Sequence, residues 1–258
     1  MQCISRGPLL LLPALAALLA ACGCGSNSSV STGEPAAPLT VSAASSLTEA
    51  FEAYGEVLPG DQRFSFASSD ELAAQIRQGV EPDVFAAANT GLPEELAAEG
   101  LVEEPVVFAQ NRLVIAVAPD SPIDSLEDLR EPGTDLVLCA PGVPCGDYAL
   151  EVLGKLPARE REAVLANVRA EESDVKGVLG KVAQGAADAG FVYASDAAAA
   201  GERVRAVELS AALEPAVAYG IAVVAGGAEP RAARGFIKGL LDGVGAEALA
   251  EAGFLPPP

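Results

Sequence analysis

The chain has 258 residues, of which 50% are hydrophobic, so it carries enough apolar material for one large domain or for two lobes of ordinary size. Lys and Arg number 16 against 36 Asp and Glu, which gives a net charge of -20. A charge of this sign argues against binding to nucleic acid and against charge-driven docking to an anionic membrane surface.

The sequence contains no His and no Trp. Without His, the chain cannot form a His-based catalytic triad, and most zinc and copper sites are excluded. It also has no G-x-S-x-G motif, and the segment GVLGK at residues 177–181 lacks the spacing of a phosphate-binding loop. We therefore expect no enzyme activity, no metal site and no cofactor.

The amino terminus has the pattern of a secretory signal peptide over residues 1–21. Arg6 supplies a positive charge, and an apolar run of about fourteen residues follows, which is too short to span a bilayer. The run ends in Leu19-Ala20-Ala21-Cys22, which resembles the lipobox of bacterial lipoproteins in every position. The resemblance implies lipidation of Cys22 and anchoring to the outer face of the membrane. An ordinary signal peptide with an incidental cysteine is the alternative.

Residues 22–37 are rich in Gly, Ser and Pro and show no hydrophobic periodicity. This composition is typical of a flexible tether that separates a folded body from the lipid. Cys24 lies in the tether, and the residues around it indicate no particular role for its side chain.

From residue 38 onward, short apolar strands alternate with amphipathic helices. Continuous apolar strands in this alternation predict an α/β fold with mainly parallel sheets. The predicted strands are LTVSAA (39–44), RFSFA (63–67), DVFAAA (83–88), RLVIAVA (112–118), DLVLCA (135–140), AGFVYA (189–194), VRAVEL (204–209) and VAYGIAVVAG (217–226).

The helices are marked by apolar residues spaced three and four apart. One stripe consists of Leu47, Phe51, Tyr54 and Leu58, and another of Val175, Val178, Leu179 and Val182. A further helix is expected from about residue 146 to 156, and two helices close the chain.

Small hydroxyl residues stand where three of the predicted strands give way to helices, in VSAASS (41–46), FASS (66–69) and FVYASD (191–196). In α/β sheets, ligands bind beyond the carboxyl ends of the strands, where helix N-termini offer free backbone N–H groups and a positive dipole end. Ser is also a preferred N-cap whatever the function, so one junction alone would indicate only capping. Three junctions in one chain favour an anion site.

Five segments, in order along the chain, resemble the molybdate-binding proteins of ABC transporters. They are VSAASSLTEAF (41–51), FSFASSDELAAQIRQGVEPDVFAAAN (64–89), VPCGDYA (143–149), ESDVKGVL (172–179) and FVYASDA (191–197). The resemblance covers nearly the whole chain after the tether. It implies a type II periplasmic-binding-protein fold, with two α/β lobes around a ligand cleft. Residues 38–113 and 222–258 would form lobe I, and residues 114–221 would form lobe II.

Carried over residue by residue, the resemblance places Ser46, Ser69, Cys145, Val175 and Tyr193 at the bound oxyanion. The two serines and the tyrosine would donate from their hydroxyl groups, and Cys145 and Val175 from their backbone N–H groups. Ser173 would cap the helix that starts near Val175. Judged without the family, Val175 on an apolar stripe and Tyr193 at a strand end are equally compatible with a place in the core.

A site made only of donors suits a tetrahedral dianion, because all four oxygens of such an ion accept hydrogen bonds. Neutral donors and helix ends can hold it without Lys or Arg. Sulfate is smaller than molybdate or tungstate and would leave stretched hydrogen bonds in a rigid cleft.

Two features depart from this simple picture. Asp70 follows Ser69 where the family more often has a small polar residue. We expect its carboxylate to face solvent in the first helical turn, where the helix dipole favours it; a carboxylate turned into the cleft would instead favour hydrogen phosphate. Cys139 and Cys145 bracket the loop APGVP, and a disulfide between them is expected outside the cell membrane, with two separate thiols as the alternative.

The resemblance therefore implies an extracytoplasmic, lipid-anchored protein that binds molybdate or tungstate and delivers it to an ABC permease and ATPase. A monomer without nucleic-acid partners is expected. The alternatives are the same fold binding phosphate or sulfate, a partner in sensing, and a lipoprotein hydrolase acting on phosphate esters.

Overall fold

The structure is a computed structural model and describes residues 37–258. The predicted signal peptide, the tether up to residue 36, the lipidation site Cys22 and Cys24 lie outside the described residues. Within residues 37–258, none of the helices has the length and apolar character needed to cross a membrane.

The described part of the chain forms ten strands and nine α-helices. The strands are β1 (Leu39–Ala44), β2 (Gln62–Ala67), β3 (Val84–Ala87), β4 (Val106–Asn111), β5 (Leu113–Val117), β6 (Leu136–Cys139), β7 (Val168–Glu172), β8 (Ala189–Tyr193), β9 (Arg205–Glu208) and β10 (Val217–Val223). The helices are α1 (Thr48–Val57), α2 (Ser69–Arg77), α3 (Gly91–Ala98), α4 (Pro144–Gly154), α5 (Ala158–Leu165), α6 (Val175–Ala183), α7 (Ala194–Ala200), α8 (Pro230–Asp242) and α9 (Val244–Glu251).

The strands form two five-stranded sheets, with the orders β2-β1-β3-β10-β4 and β7-β6-β8-β5-β9. We call the first sheet with α1–α3, α8 and α9 the first lobe, and the second sheet with α4–α7 the second lobe. Two α/β lobes of this kind confirm the predicted fold class.

The prediction of mainly parallel sheets was wrong. Each sheet has two parallel and two antiparallel strand pairings. The antiparallel pairings are those of β5 and β10, the two strands that follow a passage of the chain from one sheet to the other. A strand that enters from the other lobe need not follow a helical crossover of its own sheet, so it is free to run the opposite way.

The passage between the sheets is short in one direction, because only Arg112 separates β4 from β5. The return passage runs from the end of β9 at Glu208 to the start of β10 at Val217. β10 then pairs with both β3 and β4 of the first sheet. The lobe boundaries remain a prediction, and this pairing leads us to place the return to the first lobe at residue 217 instead of residue 222.

Apolar helix stripes supply much of the core. Leu47, Phe51 and Tyr54 are buried, while Leu58 is half-buried. Phe51 packs edge-to-face on Phe236 of α8 at a centroid distance of 5.3 Å. The stripe of α6 is buried as predicted, in Val175, Val178, Leu179 and Val182.

Some elements have no counterpart among the predictions, and one helix starts earlier than expected. α5 has the charged sequence AREREAVL, of which only Val164 is buried, so it shows no apolar stripe. β4 was also missed. α4 begins at Pro144, two residues before the expected start, because proline is well suited to the first turn of a helix.

Candidate anion-binding site

Helix starts from both lobes meet at one small cavity. The first lobe contributes Ser46, in a short 3-10 turn that leads into α1, and Ser69 at the start of α2. The second lobe contributes Cys145 in the first turn of α4, Val175 at the start of α6, and Tyr193 at the end of β8. All five predicted residues therefore line the same cavity, which has about 200 Å³ of empty space, part of it open to solvent. Their contact with a ligand stays a prediction.

The side chains of Ser46 and Ser69 are buried, and each hydroxyl group already takes part in one hydrogen bond within the protein. Ser69 Oγ accepts a hydrogen bond from the backbone N–H of Ala88 at 3.0 Å. Because that bond occupies a lone pair of the oxygen, the hydroxyl proton of Ser69 remains free to donate into the cavity. Ser46 Oγ lies 2.9 Å from the hydroxyl oxygen of Tyr219, and either hydroxyl of this pair can donate.

In the second lobe, two helix N-termini border the cavity. The N–H groups in the first turn of a helix have no partner within the helix, and Cys145 and Val175 occupy such positions. α4 approaches β6 closely at Gly146, where a Cβ atom would lie 2.6 Å from the carbonyl oxygen of Cys139. Glycine is therefore required for this helix start to sit where it does.

A disulfide links Cys139 at the end of β6 to Cys145 in α4, with 5.7 Å between their Cα atoms. The prediction of this pairing is confirmed. The bond joins the strand end directly to the helix turn that offers its N–H groups, so it fixes the backbone on the second-lobe side of the cavity.

The cap of α6 is Asp174, so the prediction that Ser173 caps this helix was wrong. Asp174 Oδ1 accepts the N–H of Gly177 at 2.9 Å, whereas Ser173 is exposed. The N-cap is the residue directly before the first helical residue, and Asp174 has that position before Val175. Asp174 also lines the cavity, and Oδ1 of its carboxylate is bound to the N–H of its own helix.

The hydroxyl group of Tyr193 is the least satisfied group at the cavity. The residue is 1% exposed, and its oxygen has no hydrogen-bond partner among residues 37–258. Burial raises the pKa of the Tyr193 phenol well above 10, so the group is a protonated donor. A buried donor without an acceptor costs free energy, and an anion in the cavity would supply the acceptor.

Asp70 does not line the cavity, but it does not face solvent fully either. The residue is half-buried, and Oδ1 is buried without a hydrogen-bond partner in the described part of the chain. The prediction of a solvent-facing carboxylate was therefore wrong for this oxygen.

Next to the cavity, Lys176 connects three helices. Its Nζ lies 2.7 Å from Glu49 Oε1 in α1 and 3.1 Å from Asp196 Oδ1 in α7. Asp196 is completely buried; this burial raises its pKa to about 6, and the nearby Lys176 ammonium opposes the rise. For Lys176 burial alone would lower the pKa, but Asp196 and Glu49 outweigh that effect and raise it, so the side chain stays charged.

Sequence reasoning missed Tyr219, Lys176 and Asp196. Lys176 and Asp196 lie inside segments that were recognised, but their neighbours along the chain give no sign that they meet. Tyr219 lies in the apolar strand β10. Its only signal in the sequence was that a side chain with a hydroxyl group stands among buried aliphatic residues.

Among the described residues that line the cavity there is no Lys or Arg, and Asp174 is the only carboxylate. Among residues 37–258 there is also no group of three or more Cys, Asp or Glu side chains placed to hold a metal ion. The site is thus built from neutral hydroxyl donors and helix N-termini, a combination that can bind a small oxyanion.

Two lobes that each turn helix N-termini toward a shared cavity define the class of solute-binding proteins. The chain belongs to the family of bacterial extracellular solute-binding proteins, which matches residues 37–255. The molybdate-binding protein ModA of Mycobacterium tuberculosis H37Rv is 38% identical over 248 residues, which cover 91% of this chain and 92% of that protein. ModA of Escherichia coli K12 is 33% identical over 175 residues, which cover 62% of this chain and 67% of that protein.

Solved structures give the same fold. The periplasmic molybdate-binding protein of Azotobacter vinelandii has a TM-score of 0.74 at 20% identity, covering 85% of this chain and 100% of its own. The sulfate-binding protein SubI of Mycobacterium tuberculosis H37Rv has a TM-score of 0.72 at 18% identity, covering 85% of this chain and 86% of its own. Because a molybdate-binding and a sulfate-binding protein score alike, the fold alone does not choose between these anions.

Proposed function

We propose that this protein binds molybdate, with tungstate as an equivalent ligand, outside the cytoplasm and delivers it to an ABC import permease and its ATPase. The observation that carries the proposal is the hydroxyl of Tyr193, a buried donor that has no acceptor within residues 37–258, at a cavity lined by helix N-termini. The names of the relatives that are 38% and 33% identical support molybdate in particular.

The chemistry of the lining favours a fully deprotonated dianion. Ser46, Ser69 and Tyr193 offer hydroxyl protons, and Cys145 and Val175 offer backbone N–H groups. Molybdate can accept a bond at each of its four oxygens at neutral pH. Hydrogen phosphate carries a proton that needs an acceptor, and an unmet polar contact of this kind costs about 1–3 kcal/mol. The ligand is cargo in this scheme and not a cofactor.

The same fold binding sulfate is the second candidate, because SubI has nearly the same TM-score as the molybdate-binding structure. Sulfate is also a dianion without protons, so it differs from molybdate in size alone. Phosphate is a third candidate: of Asp174, the one carboxylate among the described lining residues, Oδ1 accepts the N–H of Gly177, which leaves Oδ2 as the acceptor for the phosphate proton. We propose no catalytic or primary sensing role, since the donors of the cavity serve binding without a paired nucleophile and base.

We also propose that the chain is a lipoprotein, cleaved after residue 21 and anchored through Cys22, and that it acts as a monomer without nucleic-acid partners. The support for the anchor is the lipobox-like Leu19-Ala20-Ala21-Cys22. In bacterial cells, Cys22→Ser should abolish incorporation of a labelled fatty acid. Labelling that persists in this variant would contradict the anchor.

A thermal-shift and calorimetry screen of the purified protein against molybdate, tungstate, sulfate and phosphate tests the function. A ligand present at 1,000 times its dissociation constant adds about 4 kcal/mol to the free energy of unfolding, which is readily measured. Molybdate and tungstate should bind most tightly. Tyr193→Phe should weaken molybdate binding by about 1.5–3 kcal/mol, as expected for a lost hydrogen bond to a charged group.

Tyr54→Phe is the matched control for this variant. Tyr54 is also buried, and its hydroxyl donates to the carbonyl oxygen of Phe236 at 3.2 Å, in a part of the first lobe that does not line the cavity. It should bind molybdate like the wild type. Sulfate binding more tightly than molybdate would replace the proposal by its alternative, and Tyr193→Phe with unchanged affinity would remove Tyr193 from the site.

A further inference from the structure

The hydroxyl group of Tyr219 lies behind the anion site. Among the described residues that line the cavity, Ser46 alone is hydrogen-bonded to it. Tyr219 is 0% exposed, so water cannot accept its proton. The Ser46 Oγ atom, 2.9 Å away, is itself buried. The direction of this one hydrogen bond decides which group of Ser46 faces the cavity.

The neighbours of Tyr219 fix that direction. Asn111 Oδ1 already accepts the backbone N–H of Arg112 at 2.9 Å, so the other side of the amide presents its N–H donors. One of these donates to Ser195 Oγ at 2.8 Å. Among the described residues, Ser46 Oγ is the one hydrogen-bond partner of the Tyr219 hydroxyl, so it is the acceptor available for the phenol proton.

The opposite direction would leave two groups unsatisfied. If Ser46 donated to Tyr219, the phenol proton would be buried without an acceptor within the described residues. Ser46 would then turn only lone pairs toward an anion, which repels them. Burial, with a smaller contribution from Asp196, raises the pKa of Tyr219 well above 10, so the phenol keeps its proton and can donate across the physiological range.

We propose that Tyr219 is a positioning residue of the anion site, which donates its proton to Ser46 Oγ and thereby directs the hydroxyl proton of Ser46 at the ligand. The proposal rests on the proposed function and deepens it. Ser46 becomes a fixed donor, which favours an anion whose oxygens all accept over one that carries a proton of its own. Tyr219 is thus a determinant of specificity that does not line the cavity.

The hydroxyl group of Ser69 is also set as a donor, but by a backbone group instead of a side chain. Its oxygen accepts a hydrogen bond from the N–H of Ala88, which can only donate, so the Ser69 proton must also point elsewhere. The two first-lobe serines are therefore set as donors, one by a backbone amide and the other by a phenol. Of these two groups, only the phenol of Tyr219 can be removed with a side-chain substitution.

The backbone places Tyr219 at this point through an irregularity in β10. The register of β10 against β4 shifts between Tyr219 and Gly220. Such a bulge changes the direction of the side chain beside it. Gly220 packs tightly as well, since a Cβ atom there would lie 3.2 Å from the carbonyl oxygen of Asn89.

The test is a double-mutant cycle on the full-length mature protein, with molybdate binding measured by calorimetry for wild type, Tyr219→Phe, Ser46→Ala and the double variant. Tyr219→Phe should raise the dissociation constant about tenfold, the order expected from one misdirected hydrogen bond to a charged ligand. In the Ser46→Ala background the same substitution should change it by less than about twofold, because the tyrosine acts through the serine. Tyr54→Phe is the control for the loss of a buried hydroxyl far from the site.

A second measurement distinguishes a positioning role of Tyr219 from a purely structural role. In Tyr219→Phe the Ser46 hydroxyl is free to rotate and to accept a proton, so the preference for molybdate over phosphate should narrow by about tenfold. A loss of stability alone would lower both affinities together. If Tyr219→Phe does not fold, 4-fluorophenylalanine placed at position 219 fills the space of the hydroxyl without donating, and the same results are expected.

Additive losses in the cycle, or an unchanged ratio of phosphate to molybdate affinity in the Tyr219 variant, would overturn the positioning role. Either result is distinct from a failure of the proposed function. If the wild type prefers sulfate, the function must be revised, yet the cycle repeated with sulfate still decides the role of Tyr219. If the wild type binds none of the four anions, both proposals are wrong.

Discussion

Lys176 Nζ lies 2.7 Å from Glu49 Oε1, and this ion pair joins the second lobe to the first. Lys176 directly follows Val175, which lines the cavity, and Glu49 lies one turn after Ser46. The pair therefore closes the cleft beside the anion site. It is partly exposed, with 27% of the Lys176 side chain and 48% of the Glu49 side chain accessible, so its contribution is modest.

We expect Glu49→Gln to make molybdate dissociate about two- to fivefold faster, since an ion pair of this exposure is worth up to about 1 kcal/mol. Small-angle scattering should show that wild-type protein becomes more compact with ligand, and that the variant does so less completely. Glu52→Gln is the matched control, because it removes the same charge from an exposed position of the same helix. Equal dissociation rates for the two variants would show that Glu49 acts only through its charge.

Ser69→Ala should weaken molybdate binding by about 1.5–3 kcal/mol, as it removes a hydroxyl donor to a charged ligand. The substitution also leaves the N–H of Ala88 without its acceptor, so a small loss of stability is expected. Ser65→Ala, on the exposed face of β2, should change neither quantity. Calorimetry and thermal unfolding measure both, and wild-type affinity in Ser69→Ala would contradict the site.

Replacing both Cys139 and Cys145 by Ala should lower the free energy of unfolding by about 2 kcal/mol, as the loop-entropy relation gives for so short a loop. The molybdate affinity should fall as well, because the bond holds the turn of α4 that offers its N–H groups. Intact mass before and after reduction checks that the bond forms in the secreted protein. Full alkylation without a reductant would show two free thiols and would contradict the pairing.

Asp196 should make stability depend on pH in a defined direction. Burial raises its pKa from 3.8 to about 6, so the folded protein binds this proton more tightly than the unfolded chain does. The resulting stabilisation is full below about pH 4 and is lost as the pH rises through about 6. Asp196→Asn mimics the protonated form at every pH.

The free energy of unfolding of Asp196→Asn, relative to wild type, should therefore rise by up to about 3 kcal/mol between pH 4 and pH 7. Denaturant titrations at several pH values measure this difference. Asp242→Asn, at an exposed carboxylate paired with Lys238, is the control for the removal of one negative charge. A difference for Asp196→Asn that stays constant with pH would show that the carboxyl group does not titrate in this range.

Molybdate affinity should be nearly constant from about pH 7 to 9, and Asp70→Ser should change it little, because Asp70 does not line the cavity. Below this range the affinity is expected to change, since Asp196, close to the site, takes up its proton as the pH falls through about 6. Competition binding with labelled molybdate on both proteins provides the measurement. Phosphate competing better than molybdate in the wild type, with this preference lost in Asp70→Ser, would place the carboxylate at the ligand.

The local signals of the sequence were sufficient for the α/β class and for most helices, because apolar periodicity directly reflects which face of an element is buried. The stripe of α6 illustrates this, since Val175, Val178, Leu179 and Val182 are all buried. Apolar periodicity does not predict a helix or strand that buries few of its side chains. α5, with Val164 as its one buried residue, gave no stripe to read.

The resemblance of five segments to a known family supplied the five candidate site residues and the order of the lobes, and these residues do lie together. The directions of the strands were beyond local patterns, because parallel and antiparallel strands of a buried sheet have equally apolar sequences. The antiparallel course of β5 and β10 follows from passages between the lobes, which are a property of the whole chain.

The sequence by itself determined most of the helix starts, most of the buried strands, and which two cysteines lie close enough along the chain to pair. Only the tertiary structure decided which polar groups meet. Tyr219 and Ser46 are separated by 173 positions in the chain, and Lys176 and Glu49 by 127. The direction of a hydroxyl proton and the pKa of a buried carboxyl group depend on such distant neighbours, because hydrogen bonding and desolvation act over a few ångströms of space and not along the chain.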